Sequence, residues 1–127
     1  MKRLPILFAT VAASGAMALV ACSKAEPEVS FARDVQPVLD ARCSSCHMPG
    51  TPGYEASGLS TASYDALMKG TKFGAVVIPG DALSSTLTML VEGRADPSIR
   101  MPHGGAELPQ AEQKTLRDWV TQGAKNN

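Results

Sequence analysis

Apolar and polar residues fall along this chain in blocks of distinct period. Residues 4–20 are an almost unbroken apolar run behind a basic start, Met1-Lys2-Arg3. Next comes a polar stretch, Lys24 to Ser30, without periodicity. From Phe31 the pattern turns helical. Phe31, Val35, Val38 and Leu39 share one face of a helix running to Arg42, with Pro37 removing one backbone donor and kinking it. Met48 to Leu59 is rich in Gly and Pro and reads as a loop. A short helix is expected over Thr61 to Lys69, capped by Ser60 or Thr61, stopped by Gly70, with Tyr64, Leu67 and Met68 inward. Val76-Val77-Ile78 reads as a short buried run. A third helix is expected over Ser84 to Glu92, with Asp81 or Ser84 as cap and Leu83, Leu87, Leu90 and Val91 as its stripe. The last covers Gln110 to Gln122, its inner face Leu116, Trp119 and Val120, with Pro109 in its first turn and Gly123 as its stop. No strand pair or internal repeat is visible. The expected fold is all-α, about four helices joined by long loops.

The basic and apolar start has the form of an export signal covering residues 1–21. Its apolar run is too short and Ala-rich for a permanent span. Leu19-Val20-Ala21-Cys22 resembles a bacterial lipobox, which implies cleavage before Cys22 and lipidation there. Ser23, rather than an aspartate, follows the cysteine, which favours the outer membrane. The alternative is an ordinary secretory signal that leaves Cys22 as a free thiol. Residues 22–30 then form a lipidated tether, and residues 31–127 the domain, about 95 residues and marginal for a purely protein core. Lys+Arg 12 and Asp+Glu 12 balance in the precursor, and losing Lys2 and Arg3 leaves a slight acidic excess. No basic patch suggests nucleic acid. Aromatics make up only 5% of the chain, so a bound apolar group would supply missing core volume.

The chemistry is concentrated in Cys43-Ser44-Ser45-Cys46-His47. This is C-x-x-C-H, the attachment sequence of a c-type haem. Two thiols on one turn can each form a thioether to a haem vinyl group, and the following histidine is placed to ligate the iron. Three other readings compete. A thioredoxin-like dithiol needs a βαβ context, but the preceding segment is helical. A zinc site needs four ligands, and only Cys22 and His103 remain as candidates. A disulfide across so short a loop is strained. With Cys22 lipidated and Cys43 and Cys46 on one haem c, no cysteine remains for a disulfide.

A six-coordinate iron needs a ligand opposite His47, usually Met or His. Met48 is adjacent to His47 and cannot cross to the far face. Met68 and Met89 lie on expected amphipathic helices, where methionine is usually core filler. Met101 lies in the Gly/Pro loop between the last two helices, with Pro102 fixing the backbone after it. Met101 is therefore the favoured ligand, with His103, Met89 or an open iron as alternatives. Arg94 and Arg100 flank that loop, and either guanidinium could meet a haem propionate or stay solvated. Trp119 could donate to a propionate or pack in the core. The free nitrogen of His47 is expected to donate to a backbone carbonyl, plausibly from Pro49 to Gly53.

Val35-Gln36-Pro37-Val38-Leu39 before the Cys43–His47 motif, Val77-Ile78-Pro79-Gly80-Asp81 before Ser84-Ser85-Thr86-Leu87, Arg100-Met101-Pro102, and Leu116-Arg117-Asp118-Trp119-Val120 before Gly123-Ala124 occur here in that order. With these features the chain resembles class I c-type cytochromes, and more narrowly planctomycete-type cytochrome c domains. The resemblance spans Phe31 to about Lys125. It implies a class I fold with first and last helices crossing beside one covalent haem held by His47 and Met101. Leu108-Pro109 stands where the family often has a polar cap, and His103 where a second proline or a glycine is common.

The expected function is periplasmic one-electron transfer, with redox proteins as donor and acceptor. The carrier would be a monomer held at a bacterial membrane through Cys22. No Ser/His/Asp set and no phosphate loop is present, so the chain is not expected to be an enzyme. The alternatives are a haem-based redox or gas sensor with a displaceable sixth ligand, and a haem subunit of a larger dehydrogenase complex.

Overall fold

The computed structural model describes residues 26–127, so the export signal and Cys22 lie outside the described residues. A π-helical turn, Phe31–Val35, runs directly into α1, Gln36–Arg42. Then come α2, Pro52–Ser57, α3, Tyr64–Lys69, α4, Thr86–Val91, a 3-10 turn at Pro97–Ile99, and α5, Gln110–Thr121. Among the described residues there is no strand, only an isolated bridge between Thr71 and Gly74. The all-α expectation holds, with one helix more than the pattern predicted.

The first helix shows why local sequence dictates local shape. The Ser30 hydroxyl accepts from the Arg33 N–H while the Ser30 N–H donates to Asp34, satisfying exposed donors at both places. Pro37 has no N–H, and its ring crowds the carbonyl four residues back. It follows a widened turn in which Val35 N–H reaches back five residues to Ser30, so the strain is absorbed before α1 begins.

Phe31, Val35 and Leu39 are buried and face Leu116, Trp119 and Val120 of α5. Tyr64 of α3 completes an aromatic trio. Its ring lies 5.3 Å from Phe31 in a T-shaped pair and 6.3 Å from Trp119, and Phe31 lies 5.4 Å from Trp119. The two edge-to-face pairs, Phe31–Tyr64 and Tyr64–Trp119, add about 0.5–1.5 kcal/mol each beyond their buried area. Both polar tips are satisfied from the chain's end: Tyr64 Oη donates to Ala124 O and Trp119 Nε1 to Lys125 O, each at 2.9 Å. The Trp119 indole is thus a core group, not a propionate donor.

Glu26 to Ser30 lies along α5 and the last residues. Val29 N–H donates to Gln122 Oε1, Gln122 Nε2 returns to Pro27 O, and Asn127 Oδ1 accepts from Phe31 N–H. Lys125 pairs with Glu28 at 2.6 Å, and Lys114 with Glu26 at 3.2 Å. The half of the expected tether that the structure describes is therefore held to the domain.

Several elements differ from the pattern. α2 occupies part of the Gly/Pro stretch read as loop; Pro52 opens it and Gly58, at φ +76°, closes it. α3 starts at Tyr64, not Thr61, because Ser63 caps it by accepting from Ala66 N–H. α4 starts at Thr86. Ser85 is buried and its hydroxyl accepts from Ile78 N–H and donates to Asp81 O, which holds the chain out of helix until the next residue. Leu83 therefore precedes the helix and is 74% exposed, and Ile78 is 43% exposed, whereas Val76 and Val77 are buried as expected. α4 is tied to α5 through the Glu92 carboxylate, which sits 2.6 Å from Arg94 and 2.7 Å from Arg117.

Candidate functional site

The end of α1 builds the motif. Cys43 N–H still donates to Leu39 O, so the helix delivers Cys43 directly. Cys46 N–H and His47 N–H then both donate to Cys43 O, at 3.0 and 2.9 Å. A single turn thus gathers both sulfurs and the imidazole. Cys43 is half-buried and packs on the core, Cys46 is exposed, and both thiols are free. Alongside, Arg42 makes a two-pronged bond to Glu112 at 2.9 Å per contact, locking the end of α1 to the start of α5.

Electrostatics separate the competing readings. Burial pushes the Cys43 thiol up to about 11, with the Glu112 carboxylate and Cys46 adding to the effect. A dithiol redox centre needs the opposite, a thiol lowered toward neutrality, and the surroundings are helical rather than βαβ. Among the described residues no group of three or more His, Cys, Asp or Glu side chains comes together to hold a bare metal ion.

His47 is held on several sides. Gly53 lies against it so closely that a Cβ there would sit 3.0 Å from His47 Cε1 and 2.6 Å from Cys46 O. The Thr51 hydroxyl bonds the carbonyls of Cys46 and Met48, the latter at 2.7 Å. Burial lowers the imidazole's affinity for a proton, and the Leu59 carbonyl opposes that shift. Nδ1 is buried with no hydrogen-bond partner.

Met101 is half-buried and packs against the core cluster, its N–H donating to Leu90 O at 3.2 Å. His103 is exposed two residues further on, while Met48, Met68 and Met89 are half-buried. Arg94 is committed elsewhere: besides Glu92, it donates to Leu83 O and Ala82 O at 2.9 and 3.1 Å. Arg100 pairs with Glu107 at 2.8 Å, its stem lying over Gly93. Thr61, expected to start or cap the helix before Gly70, is instead a buried residue, only 1% exposed, that bonds the His47 carbonyl. Its signal was faint, a lone threonine beside a loop.

Residues 43–105 match the family model described as planctomycete cytochrome C. That stretch is a cytochrome c domain of this family. The match begins at the first motif cysteine and runs through Met101 to Gly105. This cytochrome c domain is also similar to the alpha subunit of hydrazine synthase from Kuenenia stuttgartiensis, 44% identical over 39 residues. That stretch is 31% of this chain and 5% of the subunit. A solved structure of Kuenenia stuttgartiensis hydrazine synthase superposes with a TM-score of 0.52 at 27% identity. It covers 76% of this chain and 16% of the other. The chain therefore spans a small part of the length of both relatives.

A cytochrome c domain implies haem c, and the residues present fit that group. Two unpaired thiols and a half-buried imidazole with an unpartnered buried nitrogen are gathered on one turn. Two vinyl carbons and an iron would use the sulfurs and the ring.

Proposed function

We propose that this cytochrome c domain is a one-electron carrier with one haem c joined through Cys43 and Cys46 and ligated by His47 and Met101. Haem so held supplies a one-electron couple whose iron changes geometry little between its two states. The observation that carries the reading is the Cys43–His47 turn, which presents both free thiols and the imidazole together. Met101 supports it by packing on the same core cluster as Cys43, while His103 stays exposed. A thioether ligand raises the potential relative to a second histidine. That suits exchange with redox proteins on the periplasmic side of a membrane, where lipid on Cys22 would hold the carrier. Arg100 would have to exchange Glu107 for a propionate to contribute.

The test is the visible spectrum of protein matured with haem-attachment machinery. Sharp reduced c-type bands with a weak far-red ferric band support the reading. Absence of covalent haem overturns it. Met101→Ala should keep the haem attached yet let the ferrous form bind carbon monoxide; an unchanged spectrum sinks the Met101 assignment. If wild type itself binds carbon monoxide readily, the sensor reading takes over.

A second reading, a haem module within a larger redox assembly, is favoured by similarity to a small part of a much longer enzyme subunit. It predicts co-purification in a complex rather than migration as a monomer.

A further inference from the structure

Thr61 lies fourteen residues beyond His47, on the segment that returns from α2 toward α1. It is 1% exposed, one of three buried polar residues in the domain as described. Its N–H and its hydroxyl converge on a single acceptor, the His47 carbonyl, at 2.9 and 3.2 Å. Ser44, inside the motif, meets the Thr61 hydroxyl at 3.0 Å. One proton arrangement satisfies both: Ser44 donates to Thr61, and Thr61 donates to His47. The Thr61 carbonyl is held in turn by Gln36 Nε2 of α1 at 3.1 Å, and the same amide donates to Asp40 at 2.7 Å.

The His47 backbone is thus fixed at both ends. Its N–H is bound by Cys43 O within the motif turn, and its C=O is gripped twice by Thr61. A buried polar group earns its place only when its bonds are made, and a fully connected network specifies one arrangement. The connected groups are Gln36, Asp40, Ser44, Thr61 and His47, and four of the five lie on α1 or in its motif. The helix that delivers the cysteines therefore also sets the backbone of the histidine, by way of Thr61.

We infer that Thr61 is a positioning residue that fixes the orientation of His47 through a two-pronged hold on its carbonyl. The consequence for a bound haem rests on the function proposed above; the hold itself does not.

Three variants decide the matter. Thr61→Val removes the hydroxyl at nearly constant volume and keeps the N–H contact. Thr61→Ser keeps both. Ser85→Ala removes an equally buried hydroxyl far along the chain, bonded to Ile78 and Asp81 rather than to the motif. In the haem-free chain, amide exchange of His47 and Thr61 should be about fivefold to tenfold faster in Thr61→Val, normal in Thr61→Ser, and normal in Ser85→Ala. In the haem-loaded protein, Thr61→Val should give a broadened or second low-spin ferric signal by electron paramagnetic resonance, with Thr61→Ser restoring the single species. Equal exchange in wild type and Thr61→Val, or the same spectral change in Ser85→Ala, overturns the inference. If wild type takes up no haem, the proposed function fails, and the exchange measurement still decides the role of Thr61.

Discussion

Around Trp119 the chain is held by apolar packing; around His47 it is held by backbone hydrogen bonds and close approach. In the first region three aromatic rings meet, Leu39, Leu116, Val35 and Val120 are fully buried, and the polar tips of Tyr64 and Trp119 are capped by the chain's own carboxyl-terminal residues. In the second, Cys46 is exposed, His47 is half-buried, and position is set by Thr51, Thr61 and the bare backbone of Gly53. The difference separates two duties. The aromatic region supplies stability by removing surface from water. The motif region supplies geometry, which hydrogen bonds fix better than non-directional burial does.

The sharpest way to break this division is Trp119→Ala. Loss of a fully buried indole should cost about 3–5 kcal/mol, read as a lower midpoint in urea denaturation. A variant that melted like wild type would show that the aromatic region does not carry the fold. Gly53→Ala comes next and strikes the other region. Its new methyl would meet Cys46 O at 2.6 Å, so the motif turn must move. A cost of about 1–3 kcal/mol is expected, together with a several-fold lower haem content per chain by absorbance. Full incorporation would mean that the approach of Gly53 to His47 is not needed.

The smallest expected effect concerns the exposed helix start. The Arg33 guanidinium and the Ser30 N–H hold the Asp34 carboxyl below the usual aspartate range. A carboxyl lowered in the folded state contributes stability above its unfolded value and loses it as pH falls through the folded one. Acidification below about pH 4 should therefore lower the melting temperature, and Asp34→Asn should show a smaller drop. An identical drop in both proteins would remove Asp34 from the acid response.

Sequence pattern revealed these two regions unequally, for physical reasons. The faces of α5 and of α1 with the π-helical turn before it stood out because Phe31, Val35, Leu39, Leu116, Trp119 and Val120 repeat at helical spacing and all are buried. The motif stood out because its chemistry needs five adjacent residues. α2 was hidden because Pro52–Ser57 buries no side chain and so carries no apolar stripe, although Pro52 and Gly58 mark its ends. Leu83 was misplaced because apolar spacing alone does not reveal that the Ser85 hydroxyl delays the start of α4. Thr61 was read as a helix start or cap, and its hold on His47 stayed hidden because that hold depends on a fourteen-residue return of the chain.

The meeting of Glu26–Ser30 with Gln122–Asn127 has a consequence of another kind. A folded unit whose chain arrives and departs at one spot behaves as a cassette. It can be spliced into a loop of a longer polypeptide with little distortion of the host, because the two junctions already lie side by side. The motif would ride on such a cassette unchanged, since Cys43–His47 is set by α1, α2 and Thr61 and not by the junction. Swapping this unit between hosts is then a matter of joining two neighbouring strands of chain.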